Sequence, residues 1–343
     1  MRGVKRLLLW ALTTPPIHRV WAPFLRGCGT IFMLHRFRDA ELGTAGHDPT
    51  LLRSALAFLR RERYNLVDLP ELFGRLREDA RKLRRTVAFT LDDGYLDQAT
   101  VAGPIFAEFE CPATIFVTTG FLDGALWCWW DRIQYVFGQT HRPAIEVRLD
   151  SCVLRYARDA AGGYQYAQAD FIEHCKRMRE EAKLEGIARL ASVAEVELPP
   201  RPPLQYAAMS WKQARDLERR GISVGPHTVS HPILARTTAE QSQREIVQSW
   251  ERVRTEAAHP VPIFCYPNGQ PTDYGLREIA VLRMLGFSGA VVGTTGYALA
   301  RECSADADGP FRVRRFGYPD DVRVLTQCVS GLERVNELVR GLT

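Results

Sequence analysis

The stretch that most limits what this chain can fold into runs from Thr86 to Tyr95 and reads Thr-Val-Ala-Phe-Thr-Leu-Asp-Asp-Gly-Tyr. Val87, Phe89 and Leu91 alternate with smaller residues, which is the period of a buried strand. Two adjacent carboxylates end that strand, and Gly94 lets the chain turn at once. Neighbouring side chains at a strand end point in different directions, so Asp92 and Asp93 are free to take different roles. The C-terminal ends of buried strands are where open α/β sheets and barrels keep their chemistry. Taken alone, the two acids serve equally well as the cap of a following helix.

Around this strand the pattern alternates between extended and helical. Gly29 to Leu34 is apolar and ends at His35-Arg36, and 49–64 has helical spacing. A short extended piece (65–69) and a helix (70–79) precede the acidic strand; a helix (98–110) and a strand (113–117) follow it. After Pro203 the alternation resumes. Helices are expected at 210–220, 238–258, 273–285 and 320–340, and strands at 222–224, 262–266, 288–292 and 311–316. Ser210 with Gln213, and Thr238 with Gln241, have the spacing of capping boxes. This order predicts a mostly parallel sheet, closed or nearly closed into a barrel. The segment at about 126–203 interrupts it. It opens on Leu-Trp-Cys-Trp-Trp-Asp, carries an alternating stretch (146–156) and a long charged helix (167–194), and closes on the stiff Leu198-Pro-Pro-Arg-Pro-Pro203. It is expected to be a mostly helical insertion between two core strands, with its tryptophans serving as core, lid hinge or sugar platform.

The chain has 343 residues, 46% of them apolar and 25% charged, as in ordinary globular proteins. The net charge of +5 is almost all arginine and is spread along the chain. No aromatic-interleaved basic stripe points to nucleic acid. The eight cysteines form no CxxC pair and read as free thiols, which favours a reducing, cytoplasmic setting. At the N-terminus, Arg2, Lys5 and Arg6 precede a short apolar run from Leu7 to Leu12. That run is too short to span a bilayer. Residues 1–28 are expected to form a packed helical segment, with peripheral membrane contact through Trp10, Trp21 and the arginines as the other reading. Residues 29–343 form the main domain.

Far downstream, His227 and His231 lie four apart in Gly-Pro-His-Thr-Val-Ser-His-Pro, directly after an expected strand. If that piece is helical, both rings share one face. Two imidazoles and one carboxylate make a divalent-metal site with open positions, and Asp93 can supply the carboxylate. Asp92 is then left beside the metal, where a carboxylate acts as general base toward a metal-held water. The matching reaction is hydrolysis of an amide or ester.

These residues resemble the polysaccharide deacetylase family of the NodB-homology type (carbohydrate esterase family 4). Thr90-Leu91-Asp92-Asp93-Gly94 is similar to its first motif, T-F-D-D-G. His227-Thr228-Val229-Ser230-His231-Pro232 matches its second, H-[ST]-x-x-H-P, and Phe264-Cys265-Tyr266-Pro267-Asn268-Gly269 resembles its third. The resemblance implies an α/β fold, a distorted (β/α) barrel with fewer than eight strands. It implies Asp92 as base, and Asp93, His227 and His231 as ligands of zinc or another divalent ion such as cobalt, nickel or manganese. It also implies that Tyr266 offers a backbone N–H to the oxyanion and that the substrate is an N-acetylated saccharide.

Two features depart from the family. Cys265 stands where many members have an arginine paired with the catalytic aspartate; Arg314 or Arg315 is the expected substitute. The late histidine of the L-x-H motif, which acts as general acid, is missing, and His35 at the end of the first strand is the candidate in its place. An inactive glycan-binding protein, a small-molecule amidase and an iron oxygenase with the same ligand types are the rival readings.

Overall fold

The computed structural model describes residues 11–14, 17–78, 80–149, 152–159 and 163–341. Eleven strands are present among them: β1 (Cys28–Leu34), β2 (Asn65–Leu66), β3 (Thr86–Asp93), β4 (Ala113–Val117), β5 (Ala144–Arg148), β6 (Val153–Ala157), β7 (Ile222–Pro226), β8 (Ile263–Cys265), β9 (Gly289–Val291), β10 (Ala298–Leu299) and β11 (Phe316–Gly317). β11, β1, β3, β4 and β7 pair in parallel in that order. β8 and β9 form a second parallel pair. Single parallel bridges, Val224 to Pro260 and Val291 to Val313, link the two groups. The β8–β9 pair therefore lies between β7 and the segment that leads into β11, the arrangement of a distorted (β/α) barrel. Short β2 and antiparallel β10 flank it.

The period of two along each strand builds two cores. Val87, Phe89 and Leu91 of β3 face outward, packing with Phe32, Leu34, Ile115 and Phe264 in the layer that the helices cover. Ala88 faces inward with Ile31, Phe116, Ile263 and Val291. Asp92 lies on that same inward row, four residues on. The helix Leu69–Glu78 plugs the interior near the strand N-termini through Leu72, Phe73 and Leu76. Gly289 permits this close approach: a Cβ there would collide with the Phe73 ring and the Pro310 carbonyl.

The inserted segment has its own core. The helix Trp129–Gln139, the antiparallel β5–β6 hairpin and the helices Gln165–Cys175 and Glu180–Val193 bury Ile133, Val147, Phe171, Ile187 and Leu190 together. One long helix over 167–194 was expected, but the chain breaks after Cys175. A straight helix would hold Phe171 and Leu190 about 28 Å apart, and burying both in one cluster requires the bend.

Three other expectations are corrected. The closing helix is two, Val322–Ser330 and Leu332–Val339, parted at Gly331, whose φ is +100°. A Cβ at Gly331 would press on the Trp21 carbonyl, because the helical turn Ile17–Leu25 packs there. The strand expected at 311–316 is reduced to a bridge at Val313 and the two residues of β11. The helix expected from Gln98 begins as a wide π turn over Gln98–Ala102 and becomes α-helical at Gly103–Glu108. Both expected capping boxes are present. Most of the apolar run Leu7 to Leu12, Trp10 included, lies outside the described residues. No helix among the described residues is long and apolar enough to cross a membrane.

Phe116 is fully buried between the plug and β7. Phe116→Ala should lower stability by about 3–5 kcal/mol, the usual result of emptying a ring-sized core position. The shift of the urea midpoint at unchanged slope measures it, and a loss below 1 kcal/mol would contradict an interior plugged at this level.

Candidate active site

The expected site residues reach one cleft of about 590 Å³ at the C-terminal ends of the strands. Asp92 and Asp93 end β3, His227 follows β7, Tyr266 follows β8, and His35 follows β1. Arg315 enters just before β11.

Asp92 is held from two sides by Arg315. The guanidinium donates from Nη1 to Oδ1 and from Nη2 to Oδ2, both at 2.8 Å. Its remaining donors go to the Val292 carbonyl and the Thr90 hydroxyl. The Cys265 thiol lies 3.5 Å from Asp92 Oδ2 and 3.2 Å from Arg315 Nη2. Burial alone would raise the pKa of Asp92, but the Arg315 charge and hydrogen bonds outweigh it and hold the carboxyl far below its usual value. The arginine missing from the third motif is therefore supplied 50 residues later. Arg314, the other candidate, pairs with Glu302 instead.

Asp93 follows with φ +82°, a left-handed conformation that turns its side chain into the same cleft rather than to the opposite face. Its Oδ1 lies 3.6 Å from His227 Nε2 and 3.5 Å from His231 Nε2. The His227–His231 piece is not helical, contrary to the expectation. Thr228 and His231 take positive φ, and the Thr228 hydroxyl accepts the His231 N–H at 3.0 Å. Glu245, on the helix Ala239–Glu256, ties the loop down by accepting from the Val229 and Ser230 amides and from the Ser230 hydroxyl. These turns bring the rings to 4.7 Å between centroids.

The three groups fit a divalent cation. His227 Nδ1 lies 2.7 Å from the Cys265 carbonyl, which leaves Nε2 to face the cleft. Burial lowers the pKa of His227 to about 4 and that of His231 well below the usual value, so both rings are neutral, as metal ligands must be. Burial, with Asp92 and Asp131 repelling, pushes Asp93 well above the usual carboxylate value. A buried carboxyl facing two neutral imidazoles is the donor set that a divalent ion takes. A second cluster, Asp92 with His227 and Cys265, is also compact. There Asp92 is already neutralised by Arg315, and burial keeps Cys265 a thiol.

His35 Nε2 lies 4.0 Å from Asp92 Oδ2, and 45% of its side chain is exposed in the cleft. The Tyr266 ring is buried and stacked on Tyr274, while its amide donates a long 3.4 Å bond to the Val291 carbonyl. A bond of that length is weak, so the donor is loosely committed.

The motifs alone did not reveal the opposite wall. The insertion supplies Trp130 and Asp131. Trp130 packs edge-on against His231 at 4.5 Å and donates its indole N–H to the Tyr95 hydroxyl. Tyr95 in turn donates to Asp131 at 2.6 Å. Burial raises the pKa of Asp131 to about 7 despite the Tyr95 bond and the nearby Arg36. Arg36 lies over the Tyr95 ring and pairs with Asp97. The aromatic run at 127–130 was the only sequence signal for this wall.

Residues 202–288, which carry β7, the histidine loop and Tyr266, match the family model for polysaccharide deacetylase. The comparison with curated proteins finds no match. Among solved structures, the Streptococcus pyogenes deacetylase PplD in complex with acetate is 17% identical, with a TM-score of 0.57 over 88% of this chain and 98% of its own. IcaB from Ammonifex degensii is 16% identical, with a TM-score of 0.54 over 89% and 98%. A de-N-acetylase from Aggregatibacter actinomycetemcomitans is 14% identical, with a TM-score of 0.50 over 86% and 96%. At these identities the likeness is one of fold.

Arg315→Gln would leave the Asp92 carboxylate buried without its counter-charge. The expected cost is about 3–5 kcal/mol at neutral pH. Asp92 has a depressed native pKa, so the stability it contributes is present above the unfolded carboxylate value of about 4 and is lost as pH falls. The gap between wild type and variant should therefore narrow below about pH 4. Urea titrations at several pH values check this; a gap independent of pH would mean the pair is not ionised.

Proposed function

We propose that this chain is a metal-dependent hydrolase of the polysaccharide deacetylase family that removes N-acetyl groups from an acetamido sugar of a polysaccharide or glycan intermediate. The observation that carries the reading is the triad Asp93, His227 and His231, closed to 3.5–3.6 Å around one point, beside an aspartate kept ionised by Arg315. Zinc is the proposed ion, with cobalt, nickel and manganese compatible with the same donors. Once bound, it supplies a Lewis acid for the acetamide carbonyl and lowers the pKa of the attacking water.

The chain's own residues do the rest. Asp92 accepts the water proton. Because Arg315 makes it a weak base, it suits a water already acidified and little else. His35, whose Nε2 lies 4.0 Å from Asp92 Oδ2, is the proposed proton donor to the departing amine nitrogen. This assignment would replace the missing late histidine. The Tyr266 amide, released from its long bond, is the proposed donor to the oxyanion. Trp130 and Tyr206 line the cleft and offer flat faces to a sugar ring.

Acetate release from N-acetylglucosamine oligomers tests the reading. Activity should vanish on chelation and return with zinc. Asp93→Ala and His227→Ala should lose bound metal and turnover together. Asp92→Asn should keep the metal and lose at least about 100-fold in kcat. His35→Ala should lower kcat and remove the alkaline limb of the pH profile. Full activity in a metal-free preparation, or in Asp92→Asn, would defeat the mechanism.

A further inference from the structure

A second cleft, of about 500 Å³, opens beside the first on the insertion. Its walls are the turn before Trp127, the helix Glu180–Val193 and the proline connector that ends at Pro203. Trp129 lines both clefts; Ser230 lines the second, and its neighbour His231 lines the first.

The walls are largely apolar, yet the cleft holds a cation with no partner. Arg132 is half-buried, and its guanidinium makes no ion pair or hydrogen bond among the described residues. Burial alone acts on it, lowering its pKa. The indole N–H groups of Trp127 and Trp129, whose residues line the same walls, are buried inside them without an acceptor. The carboxylate present, Glu180, is already committed: it accepts from Lys183 at 2.7 Å, and that ammonium also lies over the Trp129 ring. One unpaired guanidinium thus lines a cleft whose own acid is spent. A half-buried guanidinium keeps much of its desolvation cost until an anion meets it.

We propose that this cleft binds an anionic group, a carboxylate or a phosphate, carried by the glycan whose acetamido sugar enters the neighbouring site. Arg132 would pair with the anion, while Trp127 and the proline walls would pack on the apolar face of its sugar ring. The glycan part of the proposal rests on the deacetylase reading; the anion preference does not.

Binding to the full chain, followed by calorimetry and tryptophan fluorescence, tests it with two matched pairs. One pair is a hyaluronan tetrasaccharide against chitotetraose; the other is N-acetylglucosamine 6-phosphate against N-acetylglucosamine. At least one charged probe should bind about tenfold tighter than its neutral partner, a fair return for one charge-assisted contact. The pair with the larger gain identifies carboxylate or phosphate. The gain should shrink with added salt, disappear in Arg132→Gln, survive in part in Arg132→Lys, and persist in His227→Ala. Neutral-probe binding by Arg132→Gln reports that it is folded, and should that variant not fold, the salt dependence of the wild type decides. No gain for either charged probe, a gain insensitive to salt, or a gain kept in Arg132→Gln would overturn the proposal. An inactive protein that still shows the gain would defeat the deacetylase reading and leave the anion site standing.

Discussion

The ion pair between Asp92 and Arg315 is the interaction on which the site depends. It joins residues 223 positions apart, one at the end of β3 and one just before β11. It thereby ties together the two strands that flank β1. Burying two charges is expensive, and such a pair is tolerable only when geometry and the remaining donors are satisfied. Here they are: the guanidinium meets both carboxylate oxygens, a backbone carbonyl, a hydroxyl and a sulfur. The pair also decides the charge of its surroundings. Arg315 keeps Asp92 ionised. Asp93, one residue away and without a cation, is driven in the opposite direction. Adjacent acids of the same chemistry are thus given opposite titration behaviour by which of them the arginine reaches.

That separation needs backbone strain as well as charge. A regular strand would send Asp93 to the outer face, under the helices. The left-handed turn at Asp93 brings it back, and Thr228, His231 and Asn268 take similar conformations around the same cleft. Each such residue costs on the order of 1–3 kcal/mol and persists only where neighbours overdetermine it. Glu245 does so for the histidine loop through three hydrogen bonds. The short distance between His227 and His231 is therefore a product of tertiary support.

This explains what could be read in the sequence. Strand period and capping boxes are local, and they gave the barrel order, the two helix starts at Ser210 and Thr238, and the ends of the strands that carry Asp92 and His227. The histidine spacing was legible as a motif, but the helix imagined for it was not formed, since left-handed turns have no periodic signature. Arg314 and Arg315 were equal on paper. What separates them is register, which sends Arg315 inward and Arg314 to Glu302. The break after Cys175 follows from the two halves folding onto one core, which no local pattern marks, whereas the break at Gly331 falls at a glycine that the helical period alone passed over. Asp131 and Tyr95 belong to no motif; only their meeting in space makes them part of the wall.

The division of labour follows from where each group originates. The acids, histidines and arginine of the reaction centre stand on barrel strands and the turns that leave them. The aromatic wall and the second cleft stand on the insertion, which folds around a core of its own. Trp130 couples the two by packing on His231 while its indole N–H is held through Tyr95 to Asp131. A change within the insertion can therefore alter what the cleft accepts without moving Asp92, because Arg315 and β3 fix that aspartate from the other side. The same change reaches the Asp93–His227–His231 cluster through the Trp130–His231 pair and through the charge of Asp131, which acts on Asp93.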